Sequence, residues 1–275
     1  MERAESNHIT PQKEELPGFI KTHINIFWTG GFDSSYRMIQ LSKHDVTIQP
    51  YYLCDNRLSE ELELNAISAI TADIQKHPET KCTILPLITF KVKDIEPDSE
   101  ITDAFYRLQK LTAIGSQYDW LSRYAKSCNG LEICIEHTEI GRAYNCIMKN
   151  GEVKKITDGT ISYCIIDEEK SDPDLYKVFG NFRFPLPLLE LTKSEILEEY
   201  KKLSFSESIN KTWFCHTPVR NKSCGVCNPC KAVIEEGLTF RLSARALARY
   251  KTEIKYGDRK WFKKLKEIRL KYIGY

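Results

Sequence analysis

An α/β fold with a doubly wound parallel sheet is the architecture this sequence predicts. Three observations carry it. Apolar, β-rich stretches near residues 24–28, 47–54 and 82–90 alternate with helix-period stretches. Two glycines, Gly30 and Gly31, punctuate the first strand-to-helix junction. The 275 residues, 41% hydrophobic and 28% charged, suit one large domain with an appendage and a sizeable core. In such sheets ligands bind beyond the carboxyl ends of the strands.

Residues 1–20 are polar, carry Pro11 and Pro17, and read as a flexible arm. Ile24, Ile26 and Trp28 make the first buried strand, and Tyr36, Met38, Ile39 and Leu41 give the following helix its apolar face. Thr47 to Cys54 is a second strand, and Ser59 opens a helix through Leu62, Leu64, Ile67 and Ile70, with acids in its first turn. Cys82 to Phe90 reads as a third strand, rich in β-branched and apolar residues. Residues 101–126 are helical, with Gly115 either dividing them or admitting a ligand, and Leu131 to His137 alternates as a fourth strand. Residues 138–184, with Gly151, Gly159, Pro173 and Gly180, are expected to be an insertion or lid. Thr192 followed three residues later by Glu195 is a capping box, predicting a helix from Lys193 to Lys202. These elements delimit an α/β domain over 21–205 and a cysteine-rich, basic helical region over 206–275.

The start of the chain lacks the apolar stretch of a signal peptide, and no run reaches the ~18 apolar residues of a membrane span, so a cytoplasmic protein is expected. The net charge of +2 conceals an asymmetry. Arg241 to Tyr275 holds 12 Lys/Arg against 3 Asp/Glu, and Trp261, Leu265, Ile268 and Tyr272 recur there at helical spacing. An anionic nucleotide or acidic partner fits this tail; nucleic acid is the less favoured reading, because such faces are more often solvated.

Two constellations carry chemistry. Residues 28–35, Trp-Thr-Gly-Gly-Phe-Asp-Ser-Ser, join a strand to a helix start through glycines. The glycines allow close backbone approach, the hydroxyls add donors, and the helix N-terminus favours negative charge. No Gly-Lys-Ser/Thr follows, so this is not a Walker loop. Lys193, at a helix start, is unfavourable with the dipole unless an anion holds it. Of the ten cysteines, Cys54, Cys82, Cys128, Cys134, Cys146 and Cys164 are scattered and read as buried thiols. Cys215, Cys224, Cys227 and Cys230 form C-x8-C-x2-C-x2-C, a metal knuckle whose soft, closed donor set suits structural Zn²⁺, with an iron–sulfur cluster as the alternative.

The loop resembles the SGGxDS loop of the PP-loop ATP pyrophosphatases, with Trp28-Thr29 at its start. Taken in order, Thr29 to Ser35, Pro185 to Ile196 and the four cysteines resemble the 7-cyano-7-deazaguanine synthase (QueC) family over residues 22–235. The resemblance implies a Rossmann-like, often dimeric enzyme using ATP and Mg²⁺. It would adenylate the carboxylate of 7-carboxy-7-deazaguanine, release pyrophosphate, and pass the acyl group to ammonia, giving amide and then nitrile. It assigns Thr29, Gly30, Gly31, Ser34 and Ser35 to the phosphates, Asp33 to Mg²⁺, and Lys193 to phosphate charge. Asp33, Ser34 and Lys193 are the expected catalytic set, with Arg57 and Gln117 as substrate-side candidates. The family's Pro-Gly-Arg-Asn stretch is replaced by Ala113-Ile-Gly-Ser-Gln-Tyr118, and its Tyr-Pro-Asp-Cys-Arg stretch is absent between His137 and Phe184. Such divergence also fits QueC-like members of bacterial anti-phage systems that join a deazaguanine to a protein amine. Two further readings stand beside these: a tRNA thiolase, which would need Cys54 and Cys134 as its cysteine pair, and a nucleotide-binding module without catalysis.

Overall fold

The computed structural model describes residues 22–128, 130–139, 141–261 and 263–264. The expected arm and the tail positions Leu265, Ile268 and Tyr272 lie outside them. In chain order the elements begin with β1 (Thr22–Phe27), α1 (Phe32–Ser42), β2 (Val46–Cys54), α2 (Glu60–Lys76), β3 (Thr83–Ile84) and β4 (Ile88–Lys91). Next come α3 (Ser99–Thr112), α4 (Gln117–Ser127), β5 (Leu131–Glu132) and α5 (Arg142–Asn150). The hairpin β6 (Val153–Asp158) and β7 (Ile161–Ile166) is followed by α6 (Pro173–Phe179) and β8 (Phe182–Pro185). The helices α7 (Lys193–Lys202), α8 (Asn228–Glu235) and α9 (Ala244–Tyr256) come last.

The sheet runs β3-β2-β1-β5-β8-β7-β6, with β4 also pairing β2. Strands β1 to β5 and β8 are parallel, whereas β7 and β6 add an antiparallel edge. One face is covered by α1, α2 and α7, whose Tyr36, Met38, Ile70, Ile196 and Tyr200 pack on Ile26 and Ile48. The other face carries α3, α4, α5 and α6, with Phe105, Leu121, Ile147 and Phe179 against Leu53 and Phe182. Helices on both faces make the sheet doubly wound. The chain first builds outward from β1 through β2 and then returns to place β5 on the other side of β1. That reversal lies between β1 and β5, the crevice where open α/β sheets bind ligands.

Three sequence expectations change. The third strand is two short pieces, because Pro86 between them has no N–H for the ladder; the Gln49 side-chain amide instead donates to the Pro86 carbonyl at 2.9 Å. The fourth strand ends at Glu132, and residues 133–137 continue as an extended loop held by Ile133 N–H on the Arg183 carbonyl and His137 N–H on the Leu191 carbonyl. Residues 138–184 do not lie over the sheet as a lid but contribute strands to it. They form α5, the hairpin and α6, and lead into β8, which pairs directly with β5. Gly159, at φ +59°, makes the tight β6–β7 turn, and Gly151 and Gly180 end helices, so these glycines punctuate short elements. Gly115 does divide the 101–126 stretch into α3 and α4.

Arg37 of α1 and Glu132 of β5 lie beneath the crevice, 1% and 0% exposed. The guanidinium grips the carboxylate with two bonds, of 2.8 and 2.6 Å, and donates also to Gln40 Oε1 and to the Leu186 carbonyl. Burying this pair is tolerable because its donors and acceptors are used. Among the described residues no helix is long and apolar enough to cross a membrane. Arg37→Ala, which strands a buried carboxylate, should lower stability in urea unfolding by about 3–5 kcal/mol. The paired replacement Arg37→Met with Glu132→Leu should recover most of that. A loss below about 1 kcal/mol for the single variant would contradict this role for the ion pair.

Candidate active site

The glycine loop is shaped by what surrounds it. Trp28 is fully buried, and its indole N–H donates to Ser35 Oγ at 3.0 Å. Gly30 adopts φ +66°, and a Cβ there would stand 2.7 Å from the Glu63 carbonyl, so both conformation and space require glycine. Its own carbonyl accepts from Trp213 N–H at 2.9 Å, tying the loop to the chain entering the cysteine region. Gly31 is the N-cap of α1 and offers no side chain, which leaves first-turn N–H groups to meet an anion. Thr29 Oγ1 and Ser34 Oγ lie 3.4 Å apart beside them.

These groups open onto a cleft of about 540 Å³. Of the residues singled out in the sequence, Thr29, Gly31, Asp33, Arg57, Gln117 and Lys193 line it together. Ser34 is buried behind Thr29. Ser35 is fully buried and does not line the cleft; its oxygen accepts from the Trp28 indole, bracing the loop from behind. Arg57 is held by Asp55 at 2.6 Å and, more distantly, by Glu63, which itself receives the Tyr52 and Ser59 hydroxyls.

Lys193 is the electrostatic centre. The capping box forms as expected, with Glu195 Oε2 accepting from Thr192 N–H at 2.8 Å, and this fixes Lys193 at the first turn of α7. Its ammonium lies 2.7 Å from Glu136, 3.4 Å from Glu236 and 4.0 Å from Asp33. Burial opposes its charge, but the three carboxylates outweigh burial and push its pKa up. Asp33 is pushed well above the carboxylate range by burial and by the Glu136 charge, against the pull of Lys193. Burial also acts on Glu136, but Lys193 overcomes it and holds that carboxyl low; Glu236 is raised by burial. Among the described residues, Asp33 Oδ1 and Glu236 Oε2 are buried without hydrogen-bond partners. Three carboxylates around one lysine, two with orphaned oxygens, are a donor set that Mg²⁺ fits.

The cysteine region supplies the facing wall. Phe214 and Arg241 line the cleft with Trp213, and the Arg241 guanidinium lies over the rings of Phe214 and Phe32 at 4.6 and 5.2 Å. Glu236 follows α8. The four cysteine sulfurs lie within 4.8 Å of one another, with Cys224–Cys230 and Cys215–Cys227 each separated by 3.8 Å. Zn–S bonds of ~2.3 Å in a tetrahedron place sulfurs about 3.8 Å apart, so this spacing fits a single tetrahedral ion. Backbone N–H groups of Cys224, Gly225, Val226 and Cys227 point at the sulfurs, as thiolate ligands require.

Sequence reasoning missed Glu136, Glu236, Arg241 and Trp213. Glu136 had a positional signal, since it follows a strand at the sheet's ligand-binding edge. Glu236 had none beyond its nearness to the cysteines.

The glycine loop thus sits at the switch point of a mostly parallel sheet covered by helices on both faces, the place where open α/β folds bind ligands. Residues 175–238, from within α6 through the cysteine knuckle, match the family described as "Queuosine biosynthesis protein QueC". A solved structure titled "Structure of NMN synthetase from Francisella tularensis" is similar at 14% identity and a TM-score of 0.33, over 85% of each chain. No curated protein matches the chain.

Two outcomes follow from the geometry. Cys227→Ala should lose bound metal, read by elemental analysis of the purified protein; a metal-loaded variant would remove Cys227 from the ligand set. Asp33→Asn, which relieves carboxylate crowding around Lys193, should raise stability by about 1 kcal/mol near neutral pH. The sign follows from the raised pKa: the folded state holds the Asp33 proton more tightly than the unfolded chain, so ionising it as pH rises costs stability. A destabilised Asn variant in thermal unfolding would refute the crowding.

Proposed function

We propose that the protein is a QueC-like, ATP-dependent ligase-type enzyme that adenylates the carboxylate of a 7-deazaguanine and passes the acyl group to an amine. The observation that carries this reading is the convergence in one cleft of the α1 N-terminus, Asp33, Lys193 and Glu236, with Glu136 holding the lysine beside it. Phosphate recognition and carboxylate-rich cation binding meet there, beside aromatic walls from Trp120, Trp213 and Phe214 that suit a flat heterocycle.

In the first step a substrate carboxylate oxygen attacks the α-phosphorus of ATP. The bond to the bridging oxygen breaks, and pyrophosphate leaves with its electron pair. The first-turn amides of α1 and the Thr29 hydroxyl receive the developing phosphate charge, with Ser34 supporting Thr29. Lys193 offsets charge on the departing group, and Arg241 approaches from the opposite wall. Asp33 and Glu236 would hold Mg²⁺, which supplies Lewis-acid charge neutralisation when bound. Arg57 and Gln117 offer polar contacts to the heterocycle.

Ammonia as nucleophile would give an amide and, after a second activation, a nitrile; a protein amine would give a conjugate. The thiolase reading is less well supported. Neither Cys54 nor Cys134 lines the main cleft, and burial raises the pKa of both thiols, which opposes the thiolate that attack requires.

Mass spectrometry of the protein with Mg²⁺-ATP and 7-carboxy-7-deazaguanine should show AMP and pyrophosphate, plus an amide or nitrile when ammonium is added. Asp33→Asn should reduce AMP formation by about 10²–10³-fold. Unchanged AMP formation in that variant would overturn the assignment of Asp33, and no ATP consumption by the unaltered protein would overturn the adenylation of this base.

A further inference from the structure

Beside the main cleft lies a second cavity of about 270 Å³, between the start of α4, the loop after β5 and the start of α5. Gln117 lines both spaces. Glu136 lines the second, while its carboxylate holds Lys193, which lines the first. The two cavities therefore share Gln117, and Glu136 joins the second to the lysine that lines the first. We infer that the second cavity admits and binds the amine nucleophile, a small neutral amine such as ammonia, by a route separate from that of ATP and the acid. This inference rests on the adenylation reading above and adds a site to it.

The requirement is geometric. The acyl-adenylate must stay in the main cleft, walled by the loop on one side and the cysteine region on the other, until a nucleophile arrives. A second opening lets that nucleophile reach the acyl carbon without displacing AMP. The cavity walls suit an uncharged polar guest. Gly115 and Gly141 contribute no side chains, and Ala143 contributes only a methyl. Burial raises the pKa of the Tyr118 hydroxyl and the Cys134 thiol, so both stay neutral. The two charged groups on its walls oppose each other: Glu136, bound to Lys193, and Arg142, whose guanidinium donates to the Ala113 carbonyl at 3.3 Å. Arg142 disfavours ammonium, while the Glu136 carboxylate can accept an N–H bond and turn the nitrogen lone pair toward the main cleft.

The reaction balances simply. The nitrogen lone pair forms a C–N bond to the acyl carbon, the bond from that carbon to the phosphate oxygen breaks, and AMP leaves with the electron pair. The proton lost by nitrogen passes to water through the same cavity.

The test compares the full-length protein with Ala143→Leu and Ala143→Phe, which fill the cavity by degrees. ATP–pyrophosphate exchange with 7-carboxy-7-deazaguanine reads adenylation, and product formation over an ammonium titration reads the nucleophile. Exchange should remain within about twofold of the unaltered protein, while KM for ammonium rises by about tenfold or more, further for Phe than for Leu. Should the Phe variant lose exchange through misfolding, the Leu variant decides. Unchanged KM for ammonium in an exchange-competent variant would overturn the amine site. Absence of exchange in the unaltered protein would overturn the adenylation reading itself, and this site with it.

Discussion

A single lysine ammonium holds three parts of this molecule together. Lys193 draws Asp33 from the glycine loop, Glu136 from the loop after β5 and Glu236 from the segment after α8. None of these segments is close to another in sequence, and each has its own structural support. The capping box fixes the lysine, the Arg37–Glu132 pair anchors the strand that leads to Glu136, and the cysteine knuckle carries Glu236. The cluster holds more carboxylates than cations and, among the described residues, leaves two buried oxygens without partners. Proteins tolerate such frustration where a ligand relieves it. A cation held by Asp33 and Glu236 would satisfy the orphaned oxygens that the fold leaves open.

The cysteine knuckle is part of the site as much as a staple. Its apolar cluster is small, with Val233, Leu238, Leu242 and Ala246 around the sulfurs. Structural zinc contributes on the order of 10–16 kcal/mol in small zinc-dependent folds, far more than such a cluster can supply. Gly225, at φ +85°, lets α9 come so close that a Cβ would strike the Ala246 carbonyl, and the Arg249 guanidinium donates to the backbone carbonyls of Ser223 and Cys224. The wall stabilised in this way bears Trp213, whose N–H holds the Gly30 carbonyl, and Arg241, stacked on Phe214 and Phe32. The cysteine region and the glycine loop are therefore joined through backbone and side-chain contacts.

Much of this was legible in the sequence, for local reasons. The capping box located α7 to the residue, because two reciprocal bonds over four residues define a helix start. The cysteine spacing located the four-sulfur cluster, and the glycines marked the loop, because positive φ and close backbone approach leave little choice of residue. Long-range features were not legible. Nothing local in the sequence shows that Ser35 is fully buried and that its oxygen accepts from the Trp28 indole, seven residues earlier. Residues 138–184 looked irregular because their strands pair antiparallel at one edge of the sheet, with glycines ending each short element. Glu236 and Arg241 carry no local pattern that separates them from surface charges, and only tertiary folding brings them to the loop.

The central claim is that the cleft between the glycine loop and the cysteine region seats Mg²⁺-ATP with its phosphates on the N-terminus of α1. A crystal structure of the zinc-loaded protein with Mg²⁺ and a non-hydrolysable ATP analogue tests it most directly. The account predicts phosphate oxygens on the amides of residues 31–34, Mg²⁺ bound by Asp33, and Lys193 turned toward phosphate. A nucleotide bound elsewhere, or phosphates held away from that helix with the Lys193 cluster unchanged, would contradict it.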